Sequence, residues 1–164
     1  MDDQLPRGGL IRKLWIAEAD LYRDHLLRLD SQSRRSRFAG AVSDQFLTKY
    51  AELAFSIDAI IHGFFVDDTL RGAAELRQVG SPMTHEAEVA FSIERPWQSH
   101  GVGSMLLERT LLAARNVGLK FLHMACLATT SACSSSRANM MPSSALISAL
   151  SWAKWPPRGP RRSR

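Results

Sequence analysis

Residues 87–127 hold the pattern that most restricts the fold. An alternating stretch, Ala87 to Ile93, is followed by a glycine-bearing loop, a long amphipathic segment from Gly103 to Asn116, and a short apolar run, Phe121 to Leu127. Alternation of period two marks a half-buried strand, and the apolar spacing of Met105, Leu106, Thr110, Leu112 and Ala113 marks a helix. Gly118 stands just past the helix, where a left-handed C-cap is expected. A strand, helix and strand in that order call for a right-handed crossover and a parallel pair.

Upstream the pattern is different. Ile57 to Val66 reads as a buried strand, Asp67-Asp68-Thr69 as a turn and Leu70 to Arg77 as the returning strand. With Ala87 to Ile93 they make three consecutive antiparallel strands. Leu10 to Ile16 reads as a first strand, Ala19 to Leu29 as a first helix, and Asp44 to Leu53 as a second helix capped by Ser43. The polar, basic stretch Arg28 to Phe38 reads as a solvated loop or helix end. The fold class is therefore α/β (α+β): a mixed, mostly antiparallel sheet flanked by helices.

The chain has 164 residues, 45% of them hydrophobic, which suits one domain with a real core. Its net charge of +5 is unevenly placed. Residues 130–164 hold six of the 21 basic residues and none of the 16 acidic ones, so residues 1–129 carry 15 minus 16, a net of −1. No evenly basic face is expected, and nucleic acid is not an expected partner. The same tail has nine serines and four of the seven prolines, and reads as unstructured apart from a brief helix at Ala145 to Trp155. The expected division is a domain at 10–129 and a Ser/Pro/Arg-rich tail at 130–164.

No apolar run reaches the roughly 18 residues of a membrane span, and the acidic start Met1-Asp2-Asp3 is unlike a secretory signal. A cytoplasmic protein with no membrane partner is expected. Cys126 and Cys133 lack CxxC spacing and read as reduced thiols, with no metal expected.

Chemistry concentrates in Gln98-Ser99-His100-Gly101-Val102-Gly103, between strand and helix. The first N–H groups of a helix have no partner within it and point outward with the positive end of the macrodipole, so such a turn can hold a pyrophosphate. Glycine at 101 and 103 lets the backbone approach closely. A P-loop is excluded because no Gly-Lys-Ser/Thr follows, and a dinucleotide fingerprint because its third glycine would fall at Leu106.

The spacing Gln-x-x-Gly-x-Gly behind the strand EVAFSIE, with the element order around it, resembles the GNAT superfamily of acyl-CoA-dependent N-acyltransferases over roughly residues 10–129. The resemblance implies acetyl-CoA as co-substrate and an amine-bearing acceptor. It implies that Gln98, Ser99, His100, Gly101, Val102, Gly103 and Ser104 bind the pyrophosphate, and that Phe91 and Ile93 pair with the pantetheine arm. Glu88 is the candidate general base, ahead of Glu86 and Glu75. His100 is expected to offer its backbone N–H to phosphate rather than to act as a proton shuttle, and His62 and His123 are expected to be satisfied core residues. A homodimer is left open.

Beyond about Thr130 the chain departs from that family, whose further helix and strands, with a tyrosine that protonates the leaving thiolate, have no counterpart; Tyr22 and Tyr50 lie far upstream. Reverse translation suggests a cause. With suitable codons, Ala132 to Ala149 read from the third base of the first codon spells MQQLARKHDAELRFDFG, a helical period followed by strand-like alternation, and Met140-Met141 force an aspartate codon there. A one-base insertion or deletion near codon 130 is therefore expected, leaving the C-terminal part of the fold incomplete. Sequencing the gene and finding no such second frame would refute it. An alternative function follows: a degenerate, non-catalytic remnant that still binds coenzyme A.

Overall fold

The computed structural model describes residue 6, residues 8–55 and 59–125, and the backbone of residues 147–151. In chain order the elements are β1 (Gly9–Lys13), α1 (Ala19–Arg28), α2 (Ser31–Phe38), α3 (Asp44–Leu53), β2 (Ala59–Val66), β3 (Thr69–Val79), β4 (Glu86–Ile93), α4 (Val102–Asn116), β5 (Phe121–Ala125) and β6 (Ile147–Ser151). They build one six-stranded sheet in the order β1-β2-β3-β4-β5-β6. Among the described residues only β4 and β5 run parallel, joined by α4. The fold class read from the sequence is the one observed.

The β2–β3 hairpin closes through Asp67 and Asp68, both at positive φ (48° and 57°). That geometry matches the right-handed twist of the strands it joins. Ser43 caps α3, its Oγ accepting from the N–H of Phe46 at 3.1 Å, as its position in the sequence implies.

Two faces of the sheet are covered. On one, Leu14, Tyr22, Leu26, Leu47, Ile61 and Leu70 pack α1 and α3 against β1 to β3. On the other, α4 inserts Val102 and Leu106 against Ile11, Phe64 and Ala74, and Ala114 against Leu76, Val89 and Leu122. The period-two alternation of β4 therefore sends Ala87 and Val89 toward α4, and Glu86 and Glu88 to the opposite face.

Two sequence expectations are corrected. Arg28 to Phe38 is not a solvated loop: it contains α2, whose N-terminus is capped by the Asp30 carboxylate, which accepts from the N–H groups of Gln32 and Ser33, both at 3.0 Å. Two of its basic residues are used internally, Arg34 donating to the carbonyls of Leu29 and Leu27 and Arg37 to Tyr50 and Glu75. Residues 147–151 are strand, not helix, paired antiparallel with β5. A strand edge offers a row of main-chain partners that can override a weak helical pattern. Ile57, Cys126, Leu127, Cys133 and the rest of the tail lie outside the described residues.

Candidate active site

Strands β4 and β5 share only four rungs, Glu86 to Val89 against Phe121 to Met124. Beyond them, Ala90 to Ile93 keep β3 on one side and have no strand on the other among the described residues. The direction of the exposed peptide groups follows from alternation along the strand. The N–H of Glu94 donates to Arg71 of β3 at 2.9 Å, whereas the carbonyl of His85 accepts from Lys120 and Phe121 on the β5 side. Odd-numbered residues thus turn their peptide groups away from β3, which puts those of Phe91 and Ile93 along the open edge.

The edge leads into the loop. A 3₁₀ turn at Arg95–Trp97 passes to Gln98, then to Ser99 at φ 62° and Gly101 at φ 78°. The helix begins at Val102, one residue earlier than its sequence pattern suggests, and its first internal bond runs from the N–H of Met105 to the carbonyl of Gly101 at 3.1 Å. Among the described residues no acceptor is paired with the N–H of Ser99, His100, Gly101, Val102, Gly103 or Ser104. A side chain at 101 would meet nothing within 4 Å, so glycine is required there by the left-handed backbone and not by space.

Gln98 is different from the other loop residues. Its N–H donates to Arg95 at 3.2 Å, and its side-chain amide donates to the Ile93 carbonyl and to Ser33 Oγ. With these donors spent internally, Gln98 is a clamp on the loop. The Ile93 carbonyl is occupied by the same bond. His100 donates from Nδ1 to the Gln98 carbonyl at 2.6 Å.

The loop is anchored from below by a buried cluster with no signal in the sequence, because its members lie far apart along the chain. Glu94 accepts from His25 Nδ1 at 3.2 Å, Arg28 Nε at 2.8 Å and Arg71 Nη1 at 3.0 Å, while His25 Nε2 accepts from Ser92 Oγ at 2.9 Å. Burial lowers the His25 pKa, so the ring is neutral and donates to the carboxylate. Burial alone would raise Glu94; the bonds from His25, Arg28 and Arg71 outweigh it and hold the group below its ordinary value.

On the face opposite α4, Arg77 of β3, Glu88 of β4 and His123 of β5 are successive register partners across three strands. Glu88 is exposed and lines a small open cleft with Arg37, Tyr50, Glu75, Arg77 and Ala90. Glu75, one of the two carboxylates placed behind Glu88 as candidate base, is fully engaged. Its Oε2 accepts from Tyr22 at 3.0 Å, Tyr50 at 2.8 Å and Arg37 at 3.0 Å, and its Oε1 from Arg77 at 2.6 Å. Both tyrosines, raised in pKa first of all by burial, belong to this cluster.

The two strand histidines are not satisfied core residues. His62 is half-buried with its Nδ1 unpaired among the described residues. Burial, then the charges of Arg109 and Lys13, lower its pKa. His123 is partly exposed and bonded to Glu86, Nε2 to Oε2 at 3.1 Å. The two glutamates and the histidine share one face because strand residues two apart do so, which alternation alone indicates for Glu86 and Glu88 but not for the partner strand.

Among the described residues no cluster of three or more His, Cys, Asp or Glu side chains has the arrangement to hold a metal ion, and no helix is long and apolar enough to cross a membrane.

No protein-family model matches the chain, and no curated protein matches it. Solved structures do. The GNAT domain of S. lividans PAT is 19% identical, with a TM-score of 0.64 over 76% of each chain. PaiA N-acetyltransferase from Thermoplasma acidophilum, solved in complex with coenzyme A, is 20% identical, with a TM-score of 0.55 over 77% of this chain and 84% of that one. The ribosomal-protein-S18-alanine N-acetyltransferase from Escherichia coli is 15% identical, with a TM-score of 0.56 over 77% and 72%. At such identities the likeness is one of architecture, and by that measure the chain has the GNAT acetyltransferase fold.

Proposed function

We propose that the protein is an acyl-CoA-dependent N-acyltransferase that moves an acetyl group from acetyl-CoA to an amine, acting in the cytoplasm. The observation that carries this reading is the run of six unpaired N–H groups, Ser99 to Ser104, beside the open edge of β4. The run suits a diphosphate, with the helix dipole adding to the attraction. The peptide groups of Phe91 and the N–H of Ile93 suit the amide-bearing pantetheine arm. Glu88, on the last rungs before the strands part, suits an incoming ammonium. The coenzyme A complex of the PaiA structure supports the choice of donor.

Transfer by direct attack needs little side-chain chemistry. Holding amine and thioester in attack geometry supplies on the order of 7 to 11 kcal/mol, and a general base adds roughly a hundred- to ten-thousandfold. No metal is used in the step.

Calorimetric titration with acetyl-CoA, on the native chain and on Gly101→Trp, tests the site. Binding by the native chain and its loss in the variant support the loop, whereas equal affinity removes the loop from the site. Thiol release measured across a panel of amines then separates an enzyme from a degenerate binder, which would hold acetyl-CoA without turning it over.

A further inference from the structure

We infer that His123, oriented by Glu86, is the proton acceptor of the transfer step, and that Glu88 anchors the ammonium without taking its proton. This rests on the acyltransferase reading above and assigns a catalytic residue within it.

Three observations converge. First, His123 Nε2 and Glu86 Oε2 are 3.1 Å apart. A carboxylate accepts only, so the proton on the ring is fixed at Nε2 and the lone pair is left on Nδ1. Second, the pair is accessible: the side chains are 27% and 41% exposed, unlike Glu75, whose oxygens are filled from all sides. Third, His123 is the register partner of Glu88, and only the Val89–Met124 rung separates it from the point where β4 and β5 part. A donor lying along the open edge of β4 ends its arm at that point. The charged groups facing His123 from the neighbouring strand are Glu86 and Glu88, with Arg77 one strand further across.

Chemical type decides between the two candidates. Imidazole as a class is better matched than an exposed carboxylate to taking a proton from an ammonium near neutral pH. An exposed carboxylate attracts the ammonium by charge. In the step, the ammonium gives one proton to His123 Nδ1 and becomes a nucleophile. Its nitrogen attacks the thioester carbonyl, the C–N bond forms and the C–S bond breaks. The second surplus proton on nitrogen passes to the departing thiolate, and the imidazolium releases its proton to water. Glu86 is a positioning residue, since it acts through the ring.

The test compares the native chain with His123→Gln, Glu86→Gln, Glu86→Asp and Glu88→Gln, using acetyl-CoA and the best amine of the panel. It measures acetyl-CoA Kd by calorimetry, and kcat and KM from about pH 5.5 to 9. His123→Gln is expected to keep Kd within about twofold, to lose kcat a hundredfold or more, and to flatten the acid limb of the profile. Glu86→Gln is expected to move that limb, with Glu86→Asp restoring part of the rate. Glu88→Gln is expected to raise KM for the amine more than it lowers kcat. A fully active His123→Gln with its acid limb intact overturns this assignment and leaves the acyltransferase reading standing, as does loss of the limb in Glu88→Gln alone. A native chain that neither binds acetyl-CoA nor transfers from it overturns both.

Discussion

The side-chain amide of Gln98 donates to the Ile93 carbonyl at 2.8 Å and to Ser33 Oγ at 3.0 Å, so one residue fastens the loop to the open end of β4 and to α2. A typical intramolecular hydrogen bond contributes about 1 kcal/mol, and two exposed ones hold the loop in the shape proposed to bind the donor. Gln98→Ala is therefore expected to weaken acetyl-CoA binding by about five- to thirtyfold with little change in Tm. Calorimetry beside a thermal melt checks it; unchanged affinity would show that the clamp has no part in the site.

Gly101 sits at φ 78° with open space around it, so the penalty for Gly101→Ala comes from the backbone alone. A left-handed residue with a Cβ costs roughly 1 to 2 kcal/mol, or a few degrees of Tm in a chain of this size. Gly101→Asn is expected to recover part of the loss, because asparagine tolerates that region. Identical melts for glycine and alanine would mean that the helix entry relaxes to another conformation.

The pair His25–Glu94 predicts a loss of stability in mild acid. The folded-state pKa of His25 lies below the ordinary 6.5 because burial penalises the charged ring. Unfolded chains therefore bind a proton that the native state refuses as the pH falls below about 6.5, and folding weakens there. Glu94, also depressed in the fold, gives stability that is present above its unfolded pKa and lost as the pH falls through the folded value. Melting temperatures should decline from pH 7 to 5 in the native chain and less steeply in His25→Gln. Parallel declines would exclude His25 as the cause.

Replacing Glu75 strips the charge from a buried group held by Arg37 and Arg77. Removing one partner of such a cluster leaves cations uncompensated and costs about 3 to 5 kcal/mol. Glu75→Gln should shift the urea midpoint strongly downward. A stable Glu75→Gln chain with lost turnover would instead make this carboxylate part of the chemistry.

The local patterns are legible in the sequence. Alternation of period two gave β4 and its exposed glutamates, Ser43 gave the start of α3, and the two glycines marked the turn into α4. What escaped the sequence were relationships between distant segments. Nothing near His25 announces Glu94, 69 residues away, and the polar composition of α2 hides the way Asp30, Arg34 and Arg37 spend their hydrogen bonds indoors. The exposure of His123 escapes the sequence for a related reason. An apolar strand implies burial on both faces only where both are covered, and β5 leaves its ring partly exposed on the face opposite α4.

On the proposed reading, the short pairing of β4 with β5 also acts as a ruler. From Ile93 at the mouth of the slot to Val89 at its apex there are four residues, about 13 Å of extended strand. That span is fixed by the sheet and cannot stretch. A thioester on a truncated tether would lodge its phosphates in the turn yet stop short of the reacting rung. Tether length, more than the identity of the acyl group, would then be what such a slot discriminates.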